Sequence, residues 1–149
     1  MIEFTVGTEI SSPVAEVFAY VTDPAKLATW QTSTISAATE SERPFGPGTR
    51  VREVHRAPGG KQLASLVEVS EYEPNRVFAL RMLQGPLPVH ARITFEATEA
   101  GTRLQLEAHG RPSGRMRLIQ PFIRLILKRQ FAAYCATLKQ ALENTPPTT

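Results

Sequence analysis

The chain has 149 residues, 42% hydrophobic and 21% charged, with a formal net charge of +3. This is the composition of a globular domain of ordinary size and excludes a disordered or collagenous chain. No run reaches the roughly 20 apolar residues of a membrane span. Glu3 and Glu9 interrupt the start, where a signal peptide would be apolar, so a cytoplasmic protein is expected.

From Glu3 to Ile10, apolar Phe4, Val6 and Ile10 alternate with Glu3, Thr5 and Glu9, the period of a half-buried strand. Ser12-Pro13 reads as a helix cap followed by proline at the first helical position. Val14, Val17, Phe18 and Val21 then mark one apolar helical stripe. Asp23-Pro24 repeats the cap and opens a second short helix ending near Trp30. From Thr32 to Gly110 the punctuation lies at Phe45-Gly46-Pro47-Gly48, Pro58-Gly59-Gly60, Glu73-Pro74-Asn75, Gly85-Pro86-Leu87-Pro88 and Glu99-Ala100-Gly101. Six strands fall between these marks, and short turns between consecutive strands make them an antiparallel meander. Arg115 to about Glu143 reads as one long helix kinked at Pro121, whose first turns, Arg115 to Gln120, could form a lid. One domain, residues 1–149, with a frayed tail over 143–149, is expected.

Two hairpins can be registered by pattern. Closing the turn at Glu99-Ala100 sets Phe95 opposite Leu104, Ile93 opposite Leu106 and Ala91 opposite Ala108, with Glu96 against Arg103 and Arg92 against Glu107 on the other face. Closing at Pro74-Asn75 sets Val69 against Leu80, Val67 against Met82 and Glu68 against Arg81. A one-residue slip destroys both patterns. The resulting sheet has an apolar face that only the C-terminal helix is long enough to cover.

The order of strand, two short helices, six-stranded meander and long helix resembles the START/Bet v 1-like (SRPBCC) superfamily, within it the polyketide cyclase/dehydrase and lipid transport branch. The resemblance rests on Thr8-Glu9-Ile10-x-x-Pro13-x-x-x-Val17-Phe18-x-Tyr20-Val21-x-Asp23-Pro24, then Trp30, with support from Gly46-x-Gly48-Thr49, Val69-x-Glu71-x-x-Pro74 and Gly101-Thr102-x-Leu104. It covers Glu3 to Glu143. It implies an α+β helix-grip fold: a seven-stranded curved antiparallel sheet, two short helices and a long C-terminal helix enclosing an apolar cavity. Relatives use that cavity for lipids, polyketides, hormones or quinones, and "cyclase" is a family label rather than a reaction read from these residues.

A cavity here would have Val67, Phe78, Leu80, Met82, Ala91 and Ile93 as its sheet wall and Phe122, Ile123 and Ile126 as its roof, with Trp30 packing nearby and Ser65 among its few polar groups. Glu53 and His55, two apart on one strand, share a face. With a three-residue loop at Pro58-Gly59-Gly60 they meet Ser65 and Leu63 and point inward, where a carboxylate beside an imidazole can exchange protons with a carbonyl compound. With a four-residue loop, Arg52 and Arg56 point inward instead. His90 and His109 face each other on the charged side without a third ligand. The one cysteine, Cys135, excludes an internal disulfide and a multi-cysteine metal site; no metal and no cofactor are expected.

Seven of the 17 basic residues (Arg111, Arg115, Arg117, Arg124, Lys128, Arg129 and Lys139) lie in the C-terminal segment, leaving ten against 14 acids elsewhere, a net −4. Such a stripe is a solvated helix face or a peripheral contact for an anionic membrane or acidic partner. Nucleic acid fits less well, because no aromatic residues interleave a basic groove. The leading expectation is a binding or carrier protein for a small hydrophobic ligand. The alternatives are a cyclase/dehydratase-like enzyme using Glu53 and His55, and a protein-interaction module using the basic helix. Ligand identity and oligomeric state are not encoded in any motif.

Overall fold

The computed structural model describes residues 2–31, 34–40, 45–56, 59–85 and 89–143. The strands are β1 (Ile2–Ile10), β2 (Thr34–Thr39), β3 (Arg50–Arg56), β4 (Gln62–Glu73), β5 (Val77–Gln84), β6 (Val89–Thr98) and β7 (Gly101–Gly110). The helices are α1 (Val14–Val21), α2 (Leu27–Trp30) and α3 (Gln120–Glu143), with 3-10 turns at Pro24–Lys26 and Gly114–Ile119. One antiparallel sheet runs in the order β1-β7-β6-β5-β4-β3-β2. The meander expected from turn chemistry is therefore present, and β1 closes its far edge by pairing with β7. The turn residues expected at Pro58 and at Pro86-Leu87-Pro88, and the tail beyond Glu143, lie outside the described residues.

Both registers hold. Phe95 pairs with Leu104, Ile93 with Leu106 and Ala91 with Ala108. Val69 pairs with Leu80, Val67 with Met82 and Glu68 with Arg81. The outer face is laced by carboxylate–guanidinium pairs, but Arg92, which stands opposite Glu107 of β7, instead bonds Glu71 of β4 at 2.8 Å, reaching across β5. Glu68 serves both Arg81, at 2.9 Å, and Arg50, at 3.4 Å. These exposed pairs specify the wet face and add little to stability.

Two helix boundaries differ from expectation. Ser12 does not cap α1. Pro13, with φ −59° and ψ 146°, is the flanking residue, and its carbonyl accepts from Glu16 and Val17. Ser12 is instead buried, its carbonyl accepting the Thr102 hydroxyl at 2.8 Å, so tertiary contact ties this corner to β7. Asp23 does cap as expected, accepting from the Ala25 amide with Pro24 in the first position.

The expected kink at Pro121 is absent. Pro121 is the second residue of α3, where the missing N–H would have no helical partner anyway, and Gly114–Ile119 form a separate 3-10 turn. That turn buries no residue, and its links to the rest are sparse. Amide hydrogen exchange should therefore be markedly faster over Gly114–Ile119 than over Leu127–Leu138, and equal protection would show that the turn is held as firmly as α3.

The core lies between the sheet and the inner side of α3. Tyr134, Cys135, Leu138 and Leu142 are the buried positions of α3, and they belong to one apolar core with Ile2, Phe4, Leu104 and Leu106 of β1 and β7. The Phe4 and Phe131 rings stand 5.4 Å apart. Under α1, Phe18 packs edge-on against Phe95 and Tyr72. Because α3 packs along β1 and α2, it stands away from the middle of the sheet.

Candidate functional site

That separation leaves a cavity of about 320 Å³ between the sheet and α3. All six predicted wall residues, Val67, Phe78, Leu80, Met82, Ala91 and Ile93, line it. They do so because each occupies an inward position in the register of β4, β5 and β6, where alternate side chains share one face. Trp30 lines it from α2, 3% exposed, with its ring edge-on to Tyr134 at 6.4 Å.

The predicted roof is corrected. Phe122 and Ile126 point away from the protein, 70% and 64% exposed, and Ile123 packs on the core without lining the cavity. Leu127, Gln130, Phe131 and Tyr134 form the roof instead. The first turns of α3 carry apolar residues on every side, so periodicity there does not single out an inner face. Reading the phase backwards from Leu142 and Leu138 through Tyr134, Phe131 and Leu127 would have found it.

Glu53 and His55 both face inward. Glu53 pairs with Ser65 and His55 with Leu63, the parity of the shorter-loop alternative; Arg52 is exposed on the other face, while Arg56, exposed at the end of β3, also lines the cavity. Glu53 is 4% exposed, and burial pushes its carboxyl from 4.5 up to about 7. His55 Nε2 lies 3.8 Å from Glu53 Oε2. Burial holds the imidazole below its ordinary value.

The His55 ring is held at both nitrogens. Thr34 Oγ1 donates to Gln31 Oε1 at 3.1 Å, so its oxygen accepts from His55 Nδ1 at 3.2 Å. Nε2 is then the acceptor, and the Ser65 hydroxyl donates to it at 2.9 Å. Ser65 thus sits behind the imidazole as its positioning partner. Sequence reasoning placed Ser65, Glu53 and His55 together and missed Thr34 and Gln31. Their part depends on β2 pairing with β3, for which the sequence carries no turn of unambiguous length.

One more polar group belongs to the site. Trp30 Nε1 is buried with no hydrogen-bond acceptor, the only such side-chain atom among the described residues. A buried unpaired N–H costs about 1–3 kcal/mol, a penalty the indole carries while its ring lines the cavity. The site can therefore hold an apolar body by its aliphatic and aromatic walls and a polar atom by the Glu53 carboxyl. His90 and His109 pair across the outer face as expected, with His90 Nε2 3.3 Å from Ser70 Oγ and His109 Nδ1 3.1 Å from Glu3. Among the described residues no group of three His, Cys, Asp or Glu is placed to hold a metal. Among the described residues, no helix is long and apolar enough to cross a membrane.

A curved antiparallel sheet gripping one long helix over an apolar cavity defines the helix-grip, Bet v 1-like class of proteins. Within that class the chain belongs to the polyketide cyclase / dehydrase and lipid transport family, whose model matches residues 1–143. Among solved structures, protein TTHA0849 from Thermus thermophilus is similar at a TM-score of 0.80 and 18% identity, covering 94% of this chain and 96% of that one. The di-domain ARO/CYC StfQ from the steffimycin biosynthetic pathway is similar at a TM-score of 0.80 and 15% identity, covering 95% of this chain and 50% of StfQ. Protein CV1439 from Chromobacterium violaceum has a TM-score of 0.76 at 17% identity, covering 96% of this chain and 99% of that one. At such identities the likeness concerns the fold. No curated protein matches the sequence.

Proposed function

We propose that this protein is a cytoplasmic binding or carrier protein for a small, mostly apolar molecule that carries a hydrogen-bonding oxygen. The observation that carries the reading is the cavity itself: about 320 Å³, walled by aliphatic and aromatic side chains, with few polar groups. Small-molecule sites of this kind span roughly 300–1,000 Å³, so the occupant is compact or enters as one end of a longer molecule. Flat or elongated hydrophobic compounds fit this lining, whereas a sugar or nucleotide would leave many polar groups unpaired. The family description, with its polyketides and lipids, supports the same ligand class.

Ala91 stands in the middle of the wall on β6. Ala91→Phe should fill the space and abolish uptake of an apolar fluorescent probe while leaving the circular dichroism spectrum unchanged. A variant that binds the probe as well as the parent would place the binding site elsewhere. Native mass spectrometry of the purified protein would then identify any molecule retained in it.

Glu53 and His55 favour a second reading, an enzyme of the cyclase/dehydratase kind. A carboxyl poised near 7 and a neutral imidazole 3.8 Å away can exchange protons with a bound carbonyl compound at neutral pH. Under this reading Glu53→Gln retains probe binding and loses turnover. Under the carrier reading, no turnover exists to lose.

A further inference from the structure

The outward side of the 3-10 turn and early α3 has no role in the cavity, yet it holds most of the exposed large hydrophobic residues. Seven large hydrophobic residues are exposed among the described residues, and five of them, Leu118, Ile119, Phe122, Leu125 and Ile126, fall within nine positions. Leu118 is 84% exposed and Phe122 70%. Phe122, Leu125 and Ile126 are spaced as one helical stripe, opposite in phase to Leu127 and Phe131, which turn inward to the cavity, and exposed Leu118 precedes them in the 3-10 turn. An apolar cluster of this size on a protein surface marks a contact site.

The charge around the cluster has one sign. No acidic residue occurs between Glu107 and Glu143. Arg115, Arg117, Lys128 and Arg129 are exposed, and none of the ion pairs among the described residues uses them. Their neighbours differ: Arg124 donates to the Glu3 carbonyl and Lys139 to the Glu9 carbonyl, fastening α3 to β1. The arginines of the sheet's outer face are largely matched with glutamates. Uncompensated positive charge therefore gathers beside the exposed apolar stripe.

We propose that this segment docks on an anionic phospholipid surface, with the apolar stripe inserted at the acyl boundary and the four cations on lipid phosphates. A stripe flanked by cations on one helix crest is the arrangement of an interfacial helix that lies on a membrane without spanning it. A second copy of the chain fits less well. A two-fold contact through the stripe would set these cations against their own equivalents, with no local acid to relieve the repulsion. The cavity's occupant does not enter this argument, so the docking surface stands or falls by itself.

The test is co-sedimentation of the full chain with phosphatidylcholine vesicles, with and without phosphatidylglycerol. Binding to the anionic vesicles is expected, weakening as salt rises, with little on phosphatidylcholine alone. Phe122→Asp and Ile126→Asp, at exposed positions where the fold tolerates change, should each lower partitioning about tenfold or more. Arg117→Gln with Arg129→Gln should lower it by roughly tenfold or more. Equal binding of the parent and Phe122→Asp would overturn insertion. Absence of binding to anionic vesicles would overturn the proposal, whether the stripe then proved to join two copies in gel filtration or to hold an acidic protein.

Discussion

Glu53→Gln is expected to stabilise the protein at pH 8, by up to about 3 kcal/mol, and to change it little at pH 5. In the unfolded chain this carboxyl releases its proton near 4.5, whereas in the folded protein burial keeps it on until about 7. Between those values the folded state binds more protons than the unfolded one, so the contribution of Glu53 to stability falls as pH rises through the window. Above 7 the full cost of a buried carboxylate is present. Glutamine has the same shape and does not titrate, so it removes this slope. His55 has the opposite sign: its value is lowered by burial, so its contribution is lost as pH falls below 6.5. The variant should therefore show stability that rises with pH and levels above 6.5. Urea unfolding of parent and variant from pH 5 to 8 measures both curves. Parallel curves would mean that Glu53 is as well solvated as a surface carboxylate, and the proton-exchange role would lose its basis.

Gly101→Ala is expected to cost about 3 kcal/mol or more and to lower the melting temperature by roughly 10 °C. Gly101 has φ of +148°, a backbone conformation that side chains rarely adopt. A methyl group there would collide with the carbonyl oxygen of Ile10 and lie 2.8 Å from the Ser12 amide nitrogen. Those neighbours are backbone atoms of the β1–α1 corner and cannot swing aside. The next residue, Thr102, is fully buried and bonds Ser12 from the same place. The Gly101-Thr102 pair is thus a joint between β7 and the helix pair, which gives the sequence motif Gly101-Thr102-x-Leu104 a physical reason. Thermal melts within about 0.5 kcal/mol of the parent, the usual size of a surface substitution effect, would show that this corner can shift to accept a side chain.

Much of the fold was legible before any tertiary contact. Period-two alternation identified β1, and turn residues divided the meander. Paired patterns of charge and apolarity set the registers of β4–β5 and β6–β7, because a slip of one residue would expose every core side chain. All six residues of the cavity wall lie on the apolar face that those registers define. Glu53 and His55 remained ambiguous because their strand's parity depended on a loop whose length the glycines left open, and the register with Ser65 and Leu63 decided it.

The order of elements, the two hairpin registers and the side of the sheet that turns inward are all written in residue spacing. These depend on neighbours close in the chain, where spacing and steric rules act directly. Which side of α3 covers the cavity depends instead on long-range packing. Leu118 to Leu127 carries apolar residues on every side, and packing along β1 and α2 selects Leu127, Phe131 and Tyr134 while leaving Phe122 and Ile126 in water. The same holds for the ionisation of Glu53 and the unpaired Trp30 indole, since burial is a property of what other elements bring around a group. Local spacing determines which residues share a face, and the contacts of distant elements determine what that face meets.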